Sequence, residues 1–414
     1  MHKLWSLVAI PFAVASVCIA SCSRSEKSKE DNNAAPAGSG PAVNAAEIKI
    51  GQTMPYSGPA SAYGTIGKLQ TAFFKKINRE GGIHGKKINF ISIDDAYSPP
   101  KAVEQVRKLV EEDGVLLIFQ PLGTPSNTAI HKYLNGKKIP QLFTASGASQ
   151  WNDPTNFPFT MAFNANYQME ARIYGKHILQ TRPSAKIAVL YQNDDYGKDY
   201  LKGLKDGLGD NAKLIVAEAT YEVSDPTVDS QIATLKGSGA DTFVNVTTPK
   251  FAAQAIRRAV DIGWKAAQYL NNISASVGSV LTPAGLDKAT GLMTIAYYKD
   301  PTDPQWNEDP GMKEWRDFMT KEYPEGNLSD GTNMYAYLAA RTLVKVLEQC
   351  GPEVTPEKVM KQAANLKDFA PAQLLPGITI NTGPNDYLLF EQMRLARFDG
   401  KTWVAIGEVL TAAK

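Results

Sequence analysis

Between Gln52 and Gly64 the chain reads QTMPYSGPASAYG, and four of its side chains could hold a small molecule: Tyr56, Ser57, Ser61 and Tyr63. Phenols and hydroxyls donate and accept hydrogen bonds without carrying charge, which suits gripping a ligand more than breaking it. The groups that make and break bonds are scattered by comparison. His2, His84, His131 and His177 stand in unrelated segments with no H-E-x-x-H or Cys partner spacing. Ser146-Gly147-Ala148-Ser149 lacks the flanking glycines of a nucleophile elbow. There is no G-x-x-x-x-G-K-[ST] and no G-x-G-x-x-G opening a helix after a strand. Asp94 and Asp95, followed by Ser98-Pro99-Pro100, read as helix-start chemistry in preference to an acid/base pair. Neither a metal nor a cofactor is therefore expected. A hydrolase or a dehydrogenase would need a clustered nucleophile and base or a Gly-rich turn, and the chain offers neither.

The elements around the first loop explain why it matters. EIKIG is a short apolar strand, TIGKLQTAFFKKINRE an amphipathic helix stopped by Gly81-Gly82, and KKINFISIDD a second strand. The loop thus leaves the C-terminal end of a parallel strand, where ligands sit in open α/β sheets. The same rhythm continues through PPKAVEQVRKLVEED, GVLLIF, PSNTAIHKYLNGK and IPQLFTA. It begins again after FPFTMAFNANYQMEARIYGKHILQ, with KIAVLY, AKLIVAEATY, ADTFVNV and QYLN as strands. Short strands that are β-branched and apolar on both faces are buried parallel strands. Two such runs predict two similar doubly wound lobes with a ligand between them. Beyond GLMTIAYYKD the chain turns helical, and those helices are expected to cover the first lobe. The tail, YLLFEQMRLARFDGKTWVAIGEVL, reads as two strands joined by an Asp399-Gly400 turn.

Length and charge set the outer bounds. At 414 residues the chain has room for two domains. Its 44 basic and 42 acidic residues are interleaved, which favours neither nucleic acid nor an anionic membrane surface. Residues 1–21 have the shape of an export signal: a basic start at Lys3, an apolar stretch from Leu4 to Cys18, then Ile19-Ala20-Ser21-Cys22. The last four residues resemble a bacterial lipobox, which would place diacylglycerol on Cys22; plain cleavage near Ala20 is the alternative. Residues 22–46 are rich in Ser, Ala, Gly, Pro and charge, a flexible tether with a typical span of roughly 25–30 Å. After processing, Cys22 and Cys350 remain. A lipidated Cys22 leaves Cys350 as a free, buried or half-buried thiol, and the fold without a disulfide.

Taken together, IKIGQTMPYSGPASAYG, INREGGIHGKKINFISIDDAYSPPKAVE, IAVLYQNDDYGKD and KGSGADTFVN resemble the periplasmic solute-binding proteins of ABC importers, of the leucine/isoleucine/valine-binding type, over nearly all of 47–410. The resemblance implies the type I periplasmic binding fold: α/β, two doubly wound Rossmann-like lobes joined by three crossover segments. The crossovers would fall at 158–166, 293–303 and 380–388. They divide the chain into lobe 1 (47–162 plus 304–382) and lobe 2 (163–303 plus 383–414). It further implies hinge closure on a small-molecule ligand and delivery of the closed form to an ABC permease with its ATPase. The location would be periplasmic, with a lipid anchor as the sole membrane contact, no nucleic acid, and a monomer. A sensor lipoprotein that docks on a receptor instead of a permease is a further reading.

Carried over residue by residue, the family's ligand contacts fall on Tyr63, Thr124, Ser146, Gly147, Tyr196, Thr248 and Asn272, with Trp151, Asn271, Thr247 and Lys250 nearby. Gly123 and Ala148 stand where the family carries hydroxyls. The family's acidic partner for an α-ammonium should fall in Tyr269–Ser274, yet no Asp or Glu occurs between Asp261 and Asp287. A buried ammonium without a carboxylate loses several kcal/mol. The expected cargo is therefore a small organic acid or amide, aromatic or aliphatic, with a branched-chain or other hydrophobic amino acid as the alternative.

Overall fold

A computed structural model describes residues 46–411; residues 1–45, on which the expected export signal, Cys22 and tether fall, and the last three residues lie outside the described residues. The first run of strands forms a five-stranded parallel sheet from β1 (Glu47–Met54), β2 (Lys87–Asp94), β3 (Leu117–Phe119), β4 (Gln141–Thr144) and β5 (Thr160–Ala162). Their order is β2-β1-β3-β4-β5. The second sheet is β12-β11-β10-β9-β8-β6-β7. Its parallel part is β6 (Ile187–Gln192), β7 (Ile215–Tyr221), β8 (Thr242–Val246), β9 (Ala267–Leu270) and β10 (Met293–Ala296). The tail adds β11 (Gln392–Phe398) and β12 (Trp403–Thr411) antiparallel to it. The turn between them is closed by Asp399, whose N–H donates to the Thr402 carbonyl at 3.1 Å, with Gly400 at φ 103°. β3, β4 and β8 are buried at every position, as strands covered on both faces must be.

Helices cover both sheets. The first carries α1 (Thr65–Arg79), α2 (Pro99–Glu111) and α3 (Thr124–Lys137); the second carries α4 (Tyr167–Thr181), α5 (Asp195–Leu208), α6 (Asp229–Gly237) and α7 (Pro249–Asp261). Two short pieces follow, α8 (Thr282–Ala284) and α9 (Leu286–Ala289), and then α10 (Pro310–Glu322), α11 (Gly331–Gln349) and α12 (Pro356–Ala363). Helix α1 buries Ile66, Leu69, Phe73 and Phe74, a helical stripe read directly from the spacing. Phe73 meets Tyr337 of α11 edge to face at 5.3 Å and Phe318 of α10 at 5.6 Å. Truncating a buried Phe of this kind costs about 3–5 kcal/mol, so the late helices are bound firmly to the first lobe.

The chain passes between sheets three times: after β5, after β10 and before β11. At the first passage Gly147 leaves room for the Ala165 carbonyl, which a Cβ there would strike. Before the third, Tyr387 is still tied to the first lobe, its N–H donating to Asn152 Oδ1 at 2.7 Å and its hydroxyl to the Pro158 carbonyl at 3.1 Å. The architecture is two doubly wound lobes joined by three crossover segments.

Candidate functional site

A cavity opens where the C-terminal ends of the strands of both sheets face each other. Its free space is about 610 Å³ with the open mouth included, within the range of small-molecule sites. Nearly every strand of the parallel parts sends a residue into it: Tyr63 after β1, Tyr97 after β2, Gly123 and Thr124 after β3, Asn164 after β5, Tyr196 after β6, Thr248 after β8, Asn272 after β9, and Tyr297 with Tyr298 after β10. The wall holds seven tyrosines, counting Tyr167 and Tyr335, and among the described residues no Asp, Glu, Lys, Arg or His lines it. Burial raises all seven phenols above the usual tyrosine range, so the wall is neutral at any physiological pH.

Five of the seven residues expected at the site meet here: Tyr63, Thr124, Tyr196, Thr248 and Asn272. Ser146 and Gly147 lie behind the wall. The Ser146 hydroxyl is 2.7 Å from Thr124 Oγ1 and accepts the Trp151 indole N–H at 2.9 Å, so it positions Thr124. Trp151 itself is buried against His131, with ring centroids 5.1 Å apart. Asn271 donates to the Tyr196 hydroxyl at 3.0 Å and accepts the Thr247 N–H at 3.2 Å, again a supporting role. Lys250 turns away, donating to the Asp225 carbonyl at 3.3 Å.

The opening loop behaves differently from expectation. Only Tyr63 of its four polar side chains lines the cavity. The Tyr56 hydroxyl bonds Ser92 Oγ at 2.5 Å, and Ser57 donates its hydroxyl to Asp94 Oδ2 at 2.5 Å. Asp94 and Asp95 do not cap α2 either, whose N-cap is Ser98. Asp94 Oδ1 accepts the N–H groups of Tyr56, Ser57 and Ala96 at 2.8–3.1 Å, and Asp95 Oδ1 accepts that of Tyr97 at 2.8 Å. Ala96 and Tyr97 have φ of 51° and 60°, a left-handed conformation that costs a side-chain-bearing residue on the order of 1 kcal/mol or more. The two acids hold that strained turn and so place the Tyr97 ring in the cavity.

A buried carboxylate stands just behind the second-lobe wall. Glu170, in the first turn of α4, accepts the Asn272 N–H at 2.8 Å and the Tyr174 hydroxyl at 2.7 Å on Oε1, and the Tyr200 hydroxyl at 2.9 Å on Oε2. Burial pushes its carboxyl up to about 7, against the pull of those three donors. No acid follows β9 before Asp287, but the fold brings one to the same place from a helix a hundred residues earlier. Glu170 does not line the cavity, and neutral donors already occupy its oxygens.

Other residues missed in the sequence are Tyr97, Asn164, Tyr167, Ser276, Tyr297, Tyr298, Thr332 and Tyr335. Tyr297-Tyr298 follows a strand directly and could have been found by that signal; Tyr335 lies inside a helix, where nothing local marks it. His84, His131 and His177 remain apart, and among the described residues no group of His, Cys, Asp and Glu could hold a metal. Cys350 is a buried free thiol, pushed up to about 11 by that burial.

Two lobes closing over a neutral cavity define a solute receptor. The chain belongs to the periplasmic binding protein family, whose model matches residues 47–402. That family consists of non-enzymatic solute receptors. It is similar to Leu/Ile/Val-binding protein homolog 7 of Brucella abortus, 24% identical over 327 residues that cover 76% of this chain and 79% of that one. Among solved structures, it resembles a branched chain amino acid ABC transporter protein from Thermus thermophilus with bound valine (TM-score 0.80, 16% identity, covering 88% and 96% of the two chains). It also resembles a solute binding protein of an ABC transporter from Rhodopseudomonas palustris in complex with 3,4-dihydroxy benzoic acid (TM-score 0.74, 17% identity, 89% and 98%). Among the described residues no helix is long and apolar enough to cross a membrane.

Proposed function

We propose that this protein is the extracytoplasmic substrate-binding component of an ABC importer and that its cargo is a small organic acid or amide with an aromatic or aliphatic body. The observation that carries the reading is the wall of seven neutral tyrosines with Thr124, Thr248, Thr332, Asn164, Asn272 and Ser276 and no charged side chain. Rings supply contact area for the body of the ligand, while hydroxyls and amides orient its polar end. Two helices reinforce a preference for a carboxylate or carbonyl. Helix α3 starts at Gly123-Thr124 and α7 at Thr248, both on the cavity and both without a side-chain cap, so their positive ends face the ligand. An α-ammonium would meet the same positive ends and no carboxylate on the wall. That a structural relative holds a dihydroxybenzoic acid is compatible with this chemistry.

The alternative, a branched-chain or other hydrophobic amino acid, is favoured by Glu170. A ligand ammonium that displaced one of its three donors would gain a buried counter-charge. In the preferred reading Glu170 stays with Asn272, Tyr174 and Tyr200.

Lobe 1 comprises 47–162 with 304–382, and lobe 2 comprises 163–303 with 383–414. Cys22 carries a lipid that tethers the receptor to the membrane in the periplasm. The receptor works as a monomer and delivers its ligand to a permease and ATPase complex. A thermal-shift screen of amino acids, aliphatic amides and aromatic carboxylates tests the cargo. A true ligand at a hundredfold its dissociation constant stabilises by about 2.7 kcal/mol, and a response confined to amino acids would overturn the preferred reading.

A further inference from the structure

On one side of the cavity the two lobes meet at the carboxylate of Asp330. Asp330, at the start of α11 in the first lobe, caps that helix by accepting the Thr332 N–H at 3.0 Å. The same Oδ1 accepts two hydroxyls from the second lobe, Ser276 at 2.6 Å and Ser279 at 3.0 Å. Those serines belong to a single turn of π-helix, Val277–Leu281, with Ser276 as its N-cap. Single π turns inside a chain recur at functional positions. The backbone joins in, the Gly278 N–H donating to the Ser329 carbonyl at 2.9 Å. Gly278 has no room for a side chain: a Cβ would stand 2.7 Å from Asn327 Nδ2, 2.8 Å from Ser329 C and 2.9 Å from Asp330 N. All three obstructing atoms are in the opposite lobe.

Two of the residues Asp330 binds, Ser276 and Thr332, also line the cavity, one from each lobe. We infer that Asp330 is a positioning residue for ligand capture: it locks the Ser276–Leu281 turn of the second lobe onto the start of α11, Gly278 admits the contact, and only in this closed arrangement do Ser276 and Thr332 form adjoining parts of one wall. Closure and completion of the binding surface are then the same event. Drawn apart, the lobes leave Asp330 capping α11 and the two serines solvated, so the contact contributes to closure without contributing to the stability of either lobe. The inference rests on the two-lobed fold and is independent of which cargo the cavity takes.

The test needs no ligand. On the other side of the cleft, Asp199 Oδ2 of α5 accepts the Ser149 N–H at 2.9 Å and its hydroxyl at 3.0 Å, a second point at which the two lobes meet. In the full-length chain carrying Ser149→Cys and Asp199→Cys, mild oxidation followed by peptide mapping measures how often closure occurs. Adding Gly278→Ala is expected to slow that cross-link at least tenfold while leaving the thermal midpoint of the otherwise unsubstituted protein within about a degree. Asp330→Asn, which keeps the helix cap, is expected to slow it less, and Asp330→Ala more. Equal cross-linking rates with and without Gly278→Ala would overturn the inference, as would a pair that never cross-links in the parent. Should Gly278→Ala fail to fold, Asp330→Asn alone carries the same decision.

Discussion

Helices that begin at the cavity fall into two kinds. Asp194 caps α5, accepting the N–H groups of Tyr196 and Gly197 at 3.0 and 3.2 Å, and Asp330 caps α11. Gly123 and Thr248, at the starts of α3 and α7, cap nothing with a side chain. Both kinds occur in each lobe. A carboxylate cap offsets the positive end of its helix and satisfies backbone donors, whereas an uncapped start leaves both for whatever enters the cavity. Negative charge near the site is thus spent on structure: Asp94 and Asp95 hold the Tyr97 turn, Asp330 the lobe contact, and Glu170 the Asn272 loop. The cavity itself presents neutral rings and the uncapped starts of α3 and α7.

Gly123→Ala attacks the uncapped kind most severely. Gly123 sits at φ 93°, and a Cβ would stand 2.5 Å from Tyr97 Cε2. Backbone strain and the displaced ring should together cost roughly 3 kcal/mol of stability and at least about a hundredfold in affinity, read by denaturant melts and calorimetry. Retention of wild-type affinity would mean that α3 does not meet the ligand.

Glu170→Gln probes a carboxylate kept behind the wall. Its folded pKa of about 7 lies above the ordinary glutamate value, so its contribution to stability is complete below that ordinary value and is lost as pH rises through 7. The wild type should lose roughly 3 kcal/mol from this group between about pH 4.5 and pH 8, and the Gln variant should lack that slope in urea melts. An unchanged slope would assign the pH dependence elsewhere.

Much of this was legible from residues alone. The alternation of apolar runs and amphipathic segments is enough to define the parallel strands, because burial on both faces leaves β-branched residues little alternative. The lack of an acid between Asp261 and Asp287 is legible in the sequence, whereas the Glu170 carboxylate that the fold brings to the Asn272 N–H is not. What could not be read was long-range. Tyr335 reaches the cavity from within α11, and Glu170 approaches Asn272 from another element; neither position has a local signature. Tyr56 and Ser57 seemed free to face a ligand because nothing in the sequence signals that Ser92 and Asp94, on the neighbouring strand, engage them first.

Thr248→Asp converts an uncapped helix start into a capped one. Helix α7 should gain about 0.5–1 kcal/mol, while affinity for a carboxylate should fall at least about tenfold and affinity for the matching amide much less. Equal losses for acid and amide would break the electrostatic part of the contrast. The reverse change, Asp194→Ala, should cost about 1 kcal/mol of stability in melts and change affinity by less than about tenfold.

The central claim is that this cavity takes an acid or amide and rejects an α-ammonium. Calorimetric titration with skeletons differing only in that group decides it: 4-methylpentanoate against leucine, and 3-phenylpropanoate with its amide against phenylalanine. The amino acid of each pair is expected to bind at least about a hundredfold more weakly than its deaminated partner, a difference near 3 kcal/mol. Leucine, valine or phenylalanine binding at nanomolar to low-micromolar concentration, and more tightly than the deaminated partner, would contradict it.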